Sequence, residues 1–180
     1  MSRKGSVIFA CIAFAALAAG TGASFAQQTS TRMEGLSLSS DEPIQIESDK
    51  LQIKDKDKRA DFTGNVKVVQ GTTTIRSGAM TVYYRSEGGP VSGDGPADID
   101  HILMSKRVLM TSGTQTASGD EGTFDMDTEI LTLTGKPVVL TEGENVFTGC
   151  KLTVLMKSGE AQLEACGGRV QIQLDPKSKK

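Results

Sequence analysis

Two stretches of this chain carry the same pattern of apolar and glycine positions. Residues 62–82, with a turn at Gly71, match residues 133–154, with a turn at Gly143. On both sides of each turn apolar residues alternate with polar ones, which is the period of a β-strand with one covered face. The chain therefore repeats a unit of strand, turn and strand, and repeats of this kind form stacked β units rather than independent globular cores.

The repeat extends to four units when each is aligned on the Ser or Thr near the start of its second strand. These anchors are Ser48, Ser77, Ser118 and Thr148. The first and last intervals between neighbouring anchors are nearly equal, and the middle interval is longer. The middle interval contains residues 86–97, a stretch rich in Gly and Pro that is typical of an insertion loop. Without this loop the middle interval matches the other two, so the units recur with a single period.

The β region is bounded by segments of different composition. No part of residues 43–174 has a sustained helical spacing of apolar residues, so the pattern predicts an all-β domain without substantial helix. Residues 27–42 are polar and without periodicity, and we expect a flexible leader there. Residues 175–180 form a short basic tail.

The N-terminal residues predict an exported protein. Arg3 and Lys4 precede an apolar run over residues 7–19 and a small-residue site that ends at Ala26. This arrangement is typical of a secretory signal peptide over residues 1–26, cut after Ala26. A retained membrane anchor is the alternative, but a run of about 13 residues is shorter than the roughly 20 that a spanning helix needs.

Charge and aromatic content argue against nucleic acid as a partner. Removing Arg3 and Lys4 with the signal peptide leaves 18 Lys and Arg against 22 Asp and Glu, so there is no strong positive field. Five aromatic residues remain after processing and there is no Trp, which argues against base-stacking platforms. The length of the processed chain suits one domain with a real core.

We expect no enzyme, no metal and no cofactor. The chain has one histidine, His101, and any Ser-His-Asp or Cys-His arrangement would have to use it. We interpret His101 as an ordinary residue at a strand end. No Cys/His cluster has the spacing of metal ligands, and the glycines follow neither the phosphate-loop nor the dinucleotide pattern.

Export leaves two cysteines, Cys150 and Cys166, in an oxidising compartment. The loop that they would close has a chain-entropy value of roughly 3 kcal/mol. The sequence therefore predicts a disulfide between them. The alternative is a pair of buried thiols on adjacent strands.

An apolar stripe runs along the inward positions of all the units. It is either the packed core of the protein or, in part, an open trough that binds an acyl chain, and the residues alone leave both readings open. The stripe is made up of Ile46, Ile53, Val66, Val68, Ile75, Met80, Val82, Val108, Met110, Phe124, Met126, Leu131, Leu133, Val138, Leu140, Phe147, Leu152, Val154, Leu163, Val170 and Ile172.

Three segments carry a resemblance to a known family. Residues 43–49 read Pro-Ile-Gln-Ile-Glu-Ser-Asp, residues 63–68 read Thr-Gly-Asn-Val-Lys-Val, and residues 71–79 read Gly-Thr-Thr-Thr-Ile-Arg-Ser-Gly-Ala. These segments resemble the OstA-like family, and the resemblance covers about residues 42–174. The loop at residues 86–97 and the cysteine pair depart from the general family pattern.

The resemblance implies an open antiparallel β-jellyroll, a sheet folded into a V, that carries lipopolysaccharide through the periplasm along the apolar stripe. It implies a head-to-tail homo-oligomer, an inner-membrane jellyroll partner at the N-terminal edge and an outer-membrane translocon at the C-terminal edge. Unpaired backbone groups near residues 44–47 and 170–174 favour such association independently. The alternatives are a membrane-anchored jellyroll of the same pathway and a structural envelope β module that binds no lipid.

Overall fold

The computed structural model describes residues 29–32, 42–85 and 98–176, which form thirteen β-strands and one short 3₁₀ turn, Asp55–Asp57. The predicted all-β class is confirmed. The strands are β1 (Thr29–Arg32), β2 (Gln45–Glu47), β3 (Lys50–Lys54), β4 (Arg59–Gln70), β5 (Thr73–Tyr84), β6 (Ile99–Ser105), β7 (Val108–Ser112), β8 (Gln115–Gly119), β9 (Glu121–Asp125), β10 (Ile130–Glu142), β11 (Asn145–Leu155), β12 (Glu160–Glu164) and β13 (Gln171–Gln173).

All thirteen strands belong to one antiparallel sheet that is folded into two layers. Four long strands, β4, β5, β10 and β11, pair with different neighbours along their two halves and so belong to both layers. The first layer has the order β3-β4-β5-β6-β9-β10-β11-β12-β1. The second has the order β2-β4-β5-β7-β8-β10-β11-β13. This is a β-jellyroll, as the sequence resemblance implies.

The long strands bend where they pass from one layer to the other. In β4 the pairing with β5 shifts between Thr63 and Val66, and the two residues between them, Gly64 and Asn65, have φ of 81° and 44°. Glycine adopts such a φ without a steric penalty, and a bulge of this kind turns a strand sharply. In β11 the bend needs Gly149, because a Cβ there would lie 2.6 Å from the carbonyl oxygen of Glu164.

The core lies between the layers and follows the alternation along each strand. On β4, Val66 and Val68 are buried while Lys67 between them is partly exposed, and on β5 the same holds for Met80 and Val82 around Thr81. Buried apolar residues from both layers form one cluster. Side chains of successive strand residues point to opposite faces, so the period of two in the sequence produces this single apolar interior.

A row of polar side chains borders the core at the hairpin ends of the second layer. Thr73 Oγ1 donates to Ser112 Oγ at 3.1 Å, and both side chains are buried. Gln70 Nε2 donates to the carbonyl oxygen of Glu42 at 2.8 Å. Buried polar groups need such partners, and here they bound the apolar interior on one side.

The predicted disulfide is confirmed: Cys150 and Cys166 are bonded, with 5.7 Å between their Cα atoms. Within the segment expected to be a flexible leader, residues 29–32 form β1 and pair with β12. The predicted signal peptide, the predicted insertion loop at residues 86–97 and the last four residues of the expected basic tail lie outside the described residues. No helix in the described part of the chain is long and apolar enough to span a membrane.

Candidate functional site

The candidate site is the apolar space between the two layers. Every strand from β2 to β12 contributes inward positions to it, and the structure brings most of the predicted stripe together there. The following predicted residues are buried: Val66, Val68, Ile75, Met80, Val82, Val108, Met110, Phe124, Leu131, Leu133, Val138, Leu140, Leu152, Val154 and Leu163. Ile46, Met126, Phe147 and Val170 are partly buried and pack against this cluster.

Two predicted stripe residues, Ile53 and Ile172, are exposed rather than buried, at 42% and 44%. Both occupy inward register positions, since Ile53 lies opposite the buried Ala60 and Ile172 lies opposite the partly buried Phe147. They are exposed because β3 and β13 are edge strands, with no further described strand beside them. These two residues therefore lie at inward register positions, as the stripe predicts, but at the open edges of the sheet.

Sequence reasoning missed several residues of the interior. Ile102 and Met104 on β6 are buried, while Leu103 between them is 38% exposed. Three consecutive apolar residues hide the alternation, although the buried partners Met80 and Val82 on β5 match this register. The other buried apolar residues outside the predicted stripe are Ala60, Tyr84, Ala117, Met156 and Ala161.

Around Phe124 the described part of the interior is closely packed in this conformation. An apolar cavity of about 20 Å³ remains between the layers. One water molecule needs roughly 10–15 Å³ by the same measure, so the cavity is water-sized and cannot hold an acyl chain. Its lining comes from both layers and consists of Ile44, Val68, Gln70, Ile75, Met80, Ile102, Met104 and Phe124. An acyl chain can enter this cavity only if its walls move apart.

Both ends of the jellyroll present apolar side chains to solvent. At the N-terminal end, Leu51 and Ile53 on β3 are 45% and 42% exposed. At the C-terminal end, Ile172 on β13 and the following Leu174 are exposed as well. Exposed large apolar residues gathered at a sheet edge are typical of an interaction surface. The apolar interior is therefore continuous with an apolar surface at each end.

A larger cleft, of about 290 Å³, lies at the disulfide corner. It is open to solvent and is bordered by Lys136, Cys150, Cys166 and Arg169, among other residues. Its wall is partly charged and well exposed at Arg169, so this cleft lacks the apolar walls that an acyl chain requires. The cleft is therefore not part of the candidate site.

A charged cluster lies at the end of the first layer, where β5 ends and β6 begins. Arg85 forms a two-pronged ion pair with Asp127, at 2.7 and 3.1 Å, and also binds Asp100. The Asp100 carboxylate accepts a hydrogen bond from His101 Nδ1 at 2.7 Å, and this contact, followed by Arg85, lowers the pKa of Asp100. The His101 ring stacks on Tyr83. These contacts link the residues at the ends of β5, β6 and β9.

Among the described residues, two threonine hydroxyls donate to carboxylates, Thr81 to Asp61 and Thr128 to Asp125, and His101 takes part in neither pair. His101 lies near the start of β6, where it contacts a carboxylate and an aromatic ring. In the same part of the chain, no three His, Cys, Asp or Glu side chains are placed to hold a metal ion. The described residues provide apolar surface, buried between the two layers and exposed at both ends of the jellyroll.

Comparisons with known proteins agree with this geometry. A family model described as "LptA/(LptD N-terminal domain) LPS transport protein" matches residues 45–160. An uncharacterized protein of Rhizobium meliloti (strain 1021) is 56% identical over 185 residues, covering 100% of this chain and 99% of that protein. A Rhizobium etli protein, described by its place in the 5' region of an rpoN-linked probable transport protein, is 73% identical over 44 residues, 24% of this chain and 82% of its own.

Among solved structures, the fold is similar to the crystal structure of LptH from Pseudomonas aeruginosa. That structure is described as the LptA homologous periplasmic component of the conserved lipopolysaccharide transport device. The TM-score is 0.61 at 16% sequence identity, and the match covers 74% of this chain and 96% of the other. At this identity the likeness concerns the fold alone.

Proposed function

The chain belongs to the LptA/(LptD N-terminal domain) LPS transport protein family, and from this premise we propose that it is a periplasmic carrier of lipopolysaccharide. The acyl chains of lipid A bind between the two β layers. The protein extends end to end with itself and with partner jellyrolls, LptC-like at the inner membrane and LptD-like at the outer membrane. No catalytic step is part of this function.

The observation that supports the proposal best is the apolar face that runs through the molecule and emerges at both ends. Its interior residues include Met80 and Phe124, and its exposed ends are Ile53 on β3 and Ile172 on β13. Burying an acyl chain against such a face contributes roughly 25 cal/mol per Å² of apolar area removed from water. In a closed globular core the inward residues would be buried on every side, whereas here they are exposed at two opposite edges.

Lipid binding requires the two layers to separate. The layers are joined covalently at the bends in β4, β5, β10 and β11, so those bends are the fixed side of the fold. The opposite side, bordered by polar residues such as Thr73 and Ser112, is the side that opens. Methionines 80 and 104, which line the small cavity, adapt readily to a new occupant because their side chains are flexible.

Photo-crosslinking in cells tests the proposal. A photoreactive side chain at Met80, Met104 or Phe124 is expected to form adducts with lipopolysaccharide. Leu103 and Leu109 are matched controls, because each is apolar and 38% exposed on the outer face. The adducts are measured by immunoblotting for the lipid, after a check that each variant is folded.

Failure of every inward position to capture lipid would overturn the carrier function. The packed interior, with its cavity of about 20 Å³, favours the alternative of a structural envelope module in that event. The membrane-anchored alternative is tested separately by N-terminal sequencing of the exported protein. A chain beginning at Gln27 supports a cleaved signal peptide, and a chain that keeps residues 1–26 supports the anchored form.

A further inference from the structure

The two edges at the C-terminal end of the jellyroll differ. In the second layer the last strand is β13, and no described strand lies on its outer side. In the first layer β12 is followed by one more strand, β1, which comes from the other end of the sequence. The register pairs are Thr29 with Leu163, Ser30 with Gln162, Thr31 with Ala161, and Arg32 with Glu160.

β1 is polar in sequence, whereas the edge of β12 that it pairs with has apolar inward residues. On β12 the inward residues Leu163 and Ala161 are buried, and the register positions opposite them on β1 are both threonines. At the other end of the same layer, β3 carries Leu51 and Ile53 at its inward positions, where both are exposed. The apolar residues that would complete the β12 edge are thus found on β3.

A second copy can place its β3 against β12 in the direction that β1 uses. Neighbouring strands of the first layer are antiparallel throughout, and the path from β3 to β12 includes eight strands. The two end strands therefore run in opposite directions. A copy added in the same orientation sets its β3 antiparallel to β12 and continues the layer, as in β-strand addition.

The two strands are complementary at every position of that pairing. β3 reads Lys-Leu-Gln-Ile-Lys and β12 reads Glu-Ala-Gln-Leu-Glu. When they are antiparallel and in register, opposite charges meet at both ends and apolar residues meet at the inward positions. The pairs are Lys50 with Glu164, Leu51 with Leu163, Gln52 with Gln162, Ile53 with Ala161, and Lys54 with Glu160.

We propose that β1 is a removable cap on the β12 edge, which β3 of a second copy displaces when the protein associates end to end. The inference rests on the proposed end-to-end assembly and adds how it is regulated. In the isolated protomer β1 occupies the edge of β12, because it is attached to the same chain and so has a high effective concentration there. At high protein concentration β3 of a second copy displaces β1. β3 forms five pairs with β12, two of them apolar, whereas β1 forms four pairs and has threonine at the inward register positions.

The second layer provides the first contact for an incoming copy. The outer side of β13 is uncovered among the described strands, and its central residue, Ile172, is exposed. The matching edge strand of the second copy is β2, whose central Ile46 also lies at an inward position, opposite the buried Val68. Pairing of β13 with β2 brings β3 of the second copy next to β1.

The cap is tested by weakening β1 in the exported full chain. Adjacent strand residues point their N–H groups to opposite sides, so Ser30→Pro with Thr31→Pro removes one N–H directed at β12. The matched control, Ser30→Ala with Thr31→Ala, keeps both N–H groups. Sedimentation equilibrium is expected to give a self-association dissociation constant at least about tenfold lower for the proline variant than for the control.

Hydrogen exchange gives a second readout at low protein concentration. Backbone amides of residues 160–164 are expected to exchange faster in the proline variant than in the control, because the cap is lost. Equal exchange in the two variants would show that β1 does not cover β12 and would overturn the inference. Equal dissociation constants would overturn it too, while leaving end-to-end assembly intact.

A charge exchange tests the identity of the partner strand. Glu164 lies beyond the four pairs that β1 makes and is ion-paired with Lys151 on β11 at 3.1 Å, so Glu164→Lys leaves the β1 pairs in place while it reverses the charge that meets the incoming strand. Lys50→Glu and Glu164→Lys are each expected to weaken self-association, and an equimolar mixture of the two is expected to associate more tightly than either alone. A mixture no tighter than its components would overturn the β3–β12 pairing.

The same measurements distinguish failure of the proposed function from failure of the cap. If wild type, alanine control and proline variant all stay monomeric up to millimolar concentration, both end-to-end assembly and the cap are overturned. Lipid capture at Met80, Met104 and Phe124 does not depend on that result. Association that depends on β1 without any lipid capture would instead support the cap in a structural module.

Discussion

At the scale of single residues, Asp61 shows how a side chain secures an edge strand. Its carboxylate lies 2.8 Å from Lys54 Nζ on β3 and accepts a hydrogen bond from Thr81 Oγ1 at 3.0 Å. The Lys54 contact is the main reason that the pKa of Asp61 lies below its usual 3.8, and desolvation opposes the shift. The folded pKa is depressed, so this contribution to stability is present above about pH 4 and is lost as the pH falls through the folded pKa.

We expect Asp61→Asn to lower the free energy of unfolding by about 0.5–1 kcal/mol at pH 7, since the pair is partly exposed. At pH 3 the difference from wild type should shrink, because protonation begins to remove the same charge in the wild-type protein. Urea denaturation at both pH values measures it. Asp57→Asn is the control, because Asp57 is more exposed and lies 3.8 Å from Arg59. A difference that is the same at both pH values would contradict the assignment.

At the scale of elements, the disulfide decides where the C-terminal edge of the second layer lies. Cys150 is at the bend of β11, and Cys166 lies in the segment that joins β12 to β13. β13 has three residues and pairs only with β11 among the described strands. A strand this short contributes little pairing of its own, so the covalent bond holds the connection in place.

Replacing both cysteines, Cys150→Ser with Cys166→Ser, is expected to lower the free energy of unfolding by about 2–4 kcal/mol, the range for loops of this size. Hydrogen exchange should rise at residues 171–173 before it rises in the long strands. Urea denaturation and exchange measured on the same samples test both parts. Wild type that has been reduced and alkylated serves as the control and should behave alike. A double variant that unfolds at the same urea concentration as oxidised wild type would refute this role.

At the scale of the whole molecule, stability depends on packing one layer against the other. Phe124 on β9 of the first layer lines the small cavity together with Val68 and Ile75 of the second layer. The strands of each layer are held by backbone hydrogen bonds, but the contact between layers is made by apolar side chains. The proposed opening for a lipid would therefore cost the same interlayer contacts that keep the empty protein folded.

Phe124→Ala is expected to lower the free energy of unfolding by about 3–5 kcal/mol, because it removes a buried aromatic side chain and enlarges the cavity. Leu103→Ala, on the outer face of the neighbouring strand β6, should cost well under about 1 kcal/mol. Chemical denaturation of both variants makes the comparison. Equal losses in the two variants would mean that the layers are not packed through Phe124.

Local patterning determined much of this protein. The alternation at Val66 and Val68, and again at Leu131 and Leu133, predicts the buried face because successive strand residues point to opposite sides. The expected export and the cysteine spacing together predicted the disulfide, since an oxidising compartment favours pairing. The regular recurrence of one strand-turn-strand unit predicted a sheet of similar units. These features depend on residues close together in the chain, which is why they can be read from it.

The tertiary structure decided what depends on distant parts of the chain. Thr-Ser-Thr-Arg at residues 29–32 has no strand pattern of its own, and it becomes β1 because β12, far along the sequence, offers an unpaired edge. Ile53 and Ile172 carry the inward pattern but are exposed, since only the order of strands makes β3 and β13 edges. The width of the interior likewise depends on how the side chains of the two layers pack against each other. Each outcome follows from which strands meet, and that is settled by the folded chain as a whole.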